Sequence, residues 1–255
     1  MKSVEYSKMN DAEERMWWYR NLHANLAAVF TRYIISTLPA KLDVLDAGSG
    51  SGGWLERLHA LAPEATLSGI DISERAVEYA RGKASDADIR VGSINELPFD
   101  DAAFDLITCA DVIGAAQVEE STALGEFKRC LKPGGFCVLN LPAYQWMKSY
   151  HDEQVGTERR YTRSGVMNLL KGAGFETVYA THWNSTLFPV MVARRLILRN
   201  RKNESDVQLM PAAIENLLYG ITFIERALIR AGSTVPFGGS VLWVGYSTAI
   251  SDFHA

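Results

Sequence analysis

The chain has 255 residues, 47% of them apolar and 22% charged, with a formal net charge of −4 at pH 7. That balance describes a globular protein large enough to bury a core without disulfides or metals, and it excludes the broad basic field expected of a nucleic-acid partner. Cys109, Cys130 and Cys137 form no CxxC pair, the N-terminus is polar, and no uncharged run approaches the ~20 residues of a membrane span; the expectation is reduced core thiols, a cytoplasmic setting, no signal peptide and no metal site.

Asn10 to Leu38 reads as one helix, with Asn10 and Glu13 as a capping box and Pro39 closing it. Its interior is aromatic on more than one face, so it must pack against something or cover something. A regular alternation follows: strand 42–48, helix 53–63, strand 66–72, helix 73–84, strand 87–92, strand 103–114, helix 119–132 and strand 134–142. Strands alternating with helices of this length predict βαβ units and a parallel sheet covered on both faces. A polar loop over 143–161 leads to a helix capped by Thr162, then to strands over 175–183 and 240–248, with helical segments near 187–201 and 211–231 between them. The expected division of 1–255 is a single domain: a helical lid over 1–40, a core over 41–183, a helical insertion over 184–238, and a last strand and tail over 239–255.

The strongest chemical signal is VLDAGSGSGGW at 44–54. A strand running into Gly48, Gly50 and Gly52, followed by a helix, brings backbone N–H groups close to a ligand. Gly48, Gly50 and Gly53 also satisfy GxGxxG, the dinucleotide fingerprint, so the loop alone does not separate two cofactors. Three features favour S-adenosyl-L-methionine over NAD(P). Asp46 ends the strand, where a carboxylate repels a pyrophosphate and attracts an ammonium and a sulfonium. A 40-residue aromatic helical segment precedes the first strand, and no second catalytic domain follows the sheet. Asp71 ends the second strand in SGIDIS, placed to accept both ribose hydroxyls; as a helix N-terminal acid it would also be favoured by the dipole.

The pieces LDAGSGSG, GIDIS, VGSINELPFDDAAFDLITCADVI and LKPGGFCVLNLP stand in family-like order and spacing over 42–142. In them the sequence resembles the class I S-adenosyl-L-methionine-dependent methyltransferases, in particular the small-molecule group called type 11. The resemblance implies an α/β, Rossmann-like, seven-stranded, mostly parallel sheet with helices on both faces, an N-terminal lid helix, and a helical insertion before the last strand. It implies a donor held by Asp46, Gly48, Gly50, Gly52, Asp71 and Ile72, with the adenine beside Ser93, Ile94 and Asn95. Ser93 departs from the acid that many relatives carry. Ala110, Asp111 and Val112 would lie under the methionine part. Gly114-Ala115 replaces the Glu-His of many relatives, which removes a basic side chain and leaves room.

Met16-Trp17-Trp18-Tyr19-Arg20 resembles a segment that closes over the donor in a subgroup of the family, with Tyr19 and Arg20 meeting its carboxylate; packed aromatics and a solvated arginine are the plainer alternative. Ligands of open α/β sheets bind beyond the carboxyl ends of the strands, so 143–162 would hang over the methyl group. There Tyr144, Trp146, Tyr150 and Tyr161 would sandwich an acceptor, Arg159 or Arg160 would hold an anionic group on it, and His151 would serve as base. The alternatives are arginines that cap local carbonyls and a surface histidine, with His23 and His182 as other bases. No third ligand with suitable spacing completes a metal site. The segment 187–202 carries Arg194, Arg195, Arg199, Arg201 and Lys202 among apolar residues; it is expected to cap the pocket or form a dimer contact, with a membrane-surface contact the less favoured reading. The reading is a methyltransferase that turns the donor into S-adenosyl-L-homocysteine while methylating a metabolite or natural product. The alternatives are a lipid or lipid-linked acceptor, and a donor-binding domain without catalysis. Oligomeric state is not legible.

Overall fold

The computed structural model describes residues 10–39, 41–197 and 209–248. Their strands form one seven-stranded sheet, β1 (Asp43–Ala47), β2 (Thr66–Asp71), β3 (Asp88–Val91), β4 (Phe104–Ala110), β5 (Leu131–Pro142), β6 (Phe175–Trp183) and β7 (Ser240–Ser247), in the order β3-β2-β1-β4-β5-β7-β6. Pairing is parallel from β3 through β5, and β7 runs antiparallel between β5 and β6. The expected sheet is therefore present.

Alternation along the central strands sends successive side chains to opposite faces. Val44, Leu106 and Val138 join one core layer, while Leu45, Ile107 and Cys137 join the other. The first layer is covered by α1 (Trp17–Val29), α2 (Gly53–Leu61), α3 (Glu74–Lys83) and, through Ile229, a helix of the insertion; the second takes Phe127 of α4 (Glu120–Cys130) and Val166 and Leu170 of α6 (Arg163–Gly172). All three cysteines are free and buried, and burial pushes the Cys109, Cys130 and Cys137 thiols up, as expected of core residues.

Two expectations fail in the helical parts. The N-terminal helix is not continuous from Asn10: residues 10–13 are helical, a turn intervenes, and α1 starts at Trp17 and passes into a π-helical turn at Phe30–Ile34. The Glu13 carboxylate reaches across the fold, accepting from Ser51 Oγ and Lys83 Nζ, both at 2.6 Å. Nor is α1 only a lid. Leu22, Leu26 and Val29 belong to the sheet-facing core, and Met16, Trp17 and Tyr19, together with Leu22 and Leu26, line the cavity described below. That double duty explains apolar residues on more than one face. The 143–161 segment is also not simply a loop: it holds a 3₁₀ turn at Gln145–Met147 and a short helix, α5 (Tyr150–Val155).

The insertion contributes α7 (Phe188–Ile197), α8 (Ala212–Ile221) and α9 (Phe223–Arg230). Its acids act as helix caps across the chain. Met16, at the N-cap of α1, offers no side-chain acceptor, and the buried Glu215 takes the Trp17 N–H at 2.7 Å instead. Glu225 takes the N–H groups of Asn184, Ser185 and Thr186 just ahead of α7. Arg199, Arg201 and Lys202 of the expected basic helix lie outside the described residues.

Candidate active site

A cavity of about 630 Å³ opens at the carboxyl ends of β1, β2, β4 and β5, a size suited to a nucleoside ligand together with a small second molecule. One end is the loop after β1. Gly48, Gly50 and Gly52 all adopt positive φ, which side chains with a Cβ rarely tolerate. At Gly48 a Cβ would stand 2.2 Å from Val112 Cγ2, and at Gly52 it would stand 2.7 Å from the Ala80 backbone, so both positions also require close approach.

Three of the carboxylates that line this space stand at the ends of β1, β2 and β4. The buried Asp46 accepts from Thr108 Oγ1 at 2.8 Å, directly across the β1–β4 pairing. Burial pushes its carboxyl up to about 7; the Thr108 hydrogen bond opposes the shift, and the charges of Glu13 and Asp71 add to it. Asp71 accepts the Gly50 N–H at 3.0 Å and the Ser73 N–H at 2.9 Å. Asp111, at φ 60°, accepts from Asn140 Nδ2 at 3.0 Å through one oxygen. Burial raises it to about 7 as well, against the Asn140 hydrogen bond and the charge of Arg160.

Whether these residues suit a cationic adenosyl donor is decided by what they lack. Asp111 Oδ1 and Ser49 Oγ are buried, their residues line the cavity, and neither atom has a hydrogen-bond partner among the described residues, an arrangement native proteins seldom leave unfilled. This cluster of acidic acceptors suits an ammonium and a sulfonium and disfavours a pyrophosphate, even with the Arg160 charge acting on Asp111. Ile72, Ser93 and Ile94 line the cavity on the Asp71 side. Asn95 does not: its amide donates to the Gln117 carbonyl and accepts the Glu119 N–H, so it anchors the entry to α4.

Glu13, His23 and Tyr19 complete this wall. Burial lowers the His23 imidazole to about 4, and its Nδ1 accepts from Arg57 Nε at 3.1 Å. His23 is thus neutral with its basic nitrogen already engaged, which removes it as a base. Arg20 turns away from the cavity, donating to Asn216 Oδ1 at 2.8 Å and lying 4.0 Å over the Tyr219 ring. The expected pairing of Arg20 with the donor carboxylate is therefore corrected.

The segment after β5 divides. His151, Asp152 and Arg160 line the cavity, joined by Met191, Arg194 and Arg195 from α7. Asp152 is buried and holds this wall together: it accepts from Ser149 N at 2.7 Å, and its Oδ1 pairs with Arg160 Nη2 at 2.7 Å while Oδ2 lies 3.5 Å from Arg195 Nη1. Burial alone would raise its carboxyl, but the Arg160 charge and these hydrogen bonds hold it below the ordinary carboxylate range.

The other expected acceptor residues point elsewhere. Tyr144 stacks on His182 and Trp146, with ring centroids 5.3 and 5.7 Å apart, and these rings pack around Phe188. Trp146 and Tyr150 do not reach the cavity, and His182, bound up in that stack, does not either. Arg159 donates to the carbonyls of Ile113, Ala115 and Val118, so it is the carbonyl-capping arginine of the plainer alternative. Tyr161 gives its hydroxyl to Glu120. Gly114 leaves no vacancy, since a Cβ there would meet the Arg159 carbonyl oxygen at 2.6 Å.

Sequence reasoning missed Glu13, Thr108, Met191 and the bridging role of Asp152. A signal existed for Thr108, a hydroxyl inside an apolar strand, and for Asp152, three residues after Ser149 in a capping-box spacing. Glu13 and Met191 gave none.

Comparison with known proteins agrees with this geometry. A family model described as a methyltransferase domain matches residues 39–186. A Mycolicibacterium smegmatis protein described as a probable S-adenosylmethionine-dependent methyltransferase is 29% identical over 167 residues, which cover 65% of this chain and 61% of that protein. The Staphylococcus aureus demethylmenaquinone methyltransferase is 38% identical over 114 residues, covering 40% of this chain and 46% of that one. The chain thus spans about half the length of the curated relatives it matches. A chain of the Haloferax volcanii complex between the Trm112 methyltransferase activator and a methyltransferase shares the fold, with a TM-score of 0.60 at 22% identity, over 97% of this chain and 95% of that chain.

Proposed function

This chain belongs to the methyltransferase-domain family, and from that membership we propose that it is an S-adenosyl-L-methionine-dependent methyltransferase acting on a small-molecule acceptor, a metabolite or natural product. The observation that carries the reading is the set of three carboxylates, Asp46, Asp71 and Asp111, around one glycine loop in one cavity. S-adenosyl-L-methionine supplies a methyl group on a sulfonium: the acceptor–CH3 bond forms as the S–CH3 bond breaks in line, leaving S-adenosyl-L-homocysteine and releasing the acceptor's proton.

The chain's own residues bind, align and exclude water. Asp71 accepts the two ribose hydroxyls, and Ile72, Ser93 and Ile94 frame the adenine. Asp46 and Asp111 face the positive charges, with Gly48, Gly50, Gly52 and Ala110 letting the backbone approach. Tyr19 closes the site from α1. Alignment of this kind is worth up to ~7–11 kcal/mol of the barrier. The wall of His151, Arg160 and Met191 receives the acceptor, and His151 takes its proton when the nucleophile is neutral. Replacing His151 with Gln is expected to lower turnover ~100-fold or more while leaving S-adenosyl-L-homocysteine affinity unchanged; undiminished turnover would remove it as base.

Titration calorimetry with S-adenosyl-L-homocysteine, with NAD and NADP in parallel, tests the reading. Micromolar or tighter binding of the first alone is expected; binding of NAD instead would overturn it. An ionised Asp46 attracts the ligand's ammonium and a protonated one does not. Affinity is therefore expected to increase as the pH rises through about 7, where both Asp46 and Asp111 ionise; Asp46→Asn should remove part of that dependence, and the double variant with Asp111→Asn should flatten it. A lipid-borne acceptor is a second reading, favoured by one surface of the insertion.

A further inference from the structure

Surface helices ordinarily turn their polar side to water. The pair α8 and α9 does the reverse. Glu215, Thr222 and Glu225 are buried, whereas Leu217, Phe223 and Ile224 are 61%, 65% and 70% exposed, with Ile214, Ile221 and Leu228 exposed beside them. The inward polar side is fully used. Glu215 accepts the N–H groups of Trp17 and Met210, Thr222 Oγ1 donates to Asn21 Oδ1 at 2.8 Å, and Glu225 caps the approach to α7. The outward apolar side is therefore not a core face waiting for the rest of the domain to close on it.

Charge decides what covers this face. Among the described residues of 188–231, the acids Glu215 and Glu225 are both buried, and the exposed charged side chains are arginines, Arg194 and Arg230. Arg32, also exposed, lies against the end of α9 through the Arg230 carbonyl. A two-fold dimer through this patch would bring two sets of arginines into one interface with no exposed acid among the described residues of 188–231 to pair them, because an isologous interface pairs a surface with itself. An anionic lipid surface meets the same arginines with opposite charge, and exposed Phe, Ile and Leu flanked by Arg is the composition that settles into a headgroup layer. Exposed apolar residues also stand next in sequence to the cavity wall: Leu209 precedes Met210 and Val190 precedes Met191, and both methionines line the cavity. No described helix is long and apolar enough to cross a membrane, so the contact is one of surface and not of span.

We propose that the outer face of α8 and α9 docks on an anionic lipid bilayer, with Leu217, Phe223 and Ile224 entering the headgroup region and Arg230 and Arg32, at the end of α9, meeting lipid phosphates. This goes beyond methyl transfer and holds whatever the acceptor.

The test is sedimentation of the full chain with vesicles of phosphatidylglycerol and phosphatidylcholine, compared with vesicles of phosphatidylcholine alone. Binding to the anionic vesicles is expected, weakening as salt rises, with little binding to the neutral ones. The double variant Phe223→Glu, Ile224→Glu, and separately Leu217→Glu, should weaken it at least ~10-fold. Unchanged S-adenosyl-L-homocysteine affinity in the variants shows that the fold and the donor site survive, so failure of docking is separable from failure of the proposed activity. Three results overturn the proposal: no binding to anionic vesicles, binding indifferent to all three substitutions, or a solution dimer that the same substitutions dissociate.

Discussion

Asp71→Ala is expected to raise the dissociation constant for S-adenosyl-L-homocysteine at least ~100-fold, read by calorimetry. Two hydroxyl hydrogen bonds to a charged acceptor are worth about 1.5–3 kcal/mol each, and every ~1.4 kcal/mol is a factor of ten. The substitution also releases the Gly50 and Ser73 N–H groups that Asp71 now holds at 3.0 and 2.9 Å, so the glycine loop keeps the Gly48 and Ser49 N–H bonds to the Ile70 carbonyl as its ties to β2. Asp71→Asn separates the two effects. It keeps one carbonyl oxygen for the loop and removes the charge, so an intermediate loss is expected. An affinity within a few-fold of the parent in Asp71→Ala would place the ribose elsewhere.

The largest loss of stability is expected from Asp152→Ala. Arg160 keeps only 7% of its side chain exposed and pairs with a carboxylate that is 2% exposed. Removing one partner of a buried pair leaves an uncompensated charge, at a cost of about 3–5 kcal/mol. In a chain of this size that corresponds to a melting temperature lower by roughly 6–20 °C. Asp43→Ala is the contrast: Asp43 pairs with Lys132 at 2.7 Å, but 41% of its side chain is exposed, and such pairs are worth ~0–1 kcal/mol. Equal small losses from both would mean that the Asp152 wall is solvated. Because the Asp152 carboxyl is held below its ordinary value of 3.8, its contribution is complete above that value. It is lost as the pH falls through the lowered one.

How much was legible differs between the sheet and the wall. All seven strands lie where apolar runs and turn residues predicted them, although the fourth stops at Ala110, short of the expected 114, where Asp111 turns to positive φ. The glycine loop and Asp71 were equally readable, since a strand–glycine–helix junction fixes its geometry over a few residues. The aromatic and basic residues of 143–162 were not. Tyr144, Arg159 and Arg160 are all polar-tipped side chains in one segment, yet one stacks on His182, one caps carbonyls and one reaches the cavity. Which partner each finds depends on elements tens of residues away.

The sequence by itself determined the α/β architecture, the donor loop and the carboxylates at the ends of β1, β2 and β4. These follow from periodicity and from the conformations that only glycine adopts readily, both of which are local. Tertiary structure alone decided where α1 packs and which residues of 143–162 line the cavity. Glu13 could cap its own helix or cross to Lys83, and Arg20 could reach the donor or Tyr219. For a long charged side chain, the nearest compensating charge or acceptor in a low-dielectric interior outweighs any preference written in its neighbours. The same competition turned Glu215 and Glu225 inward as caps, and so left the apolar side of α8 and α9 facing out.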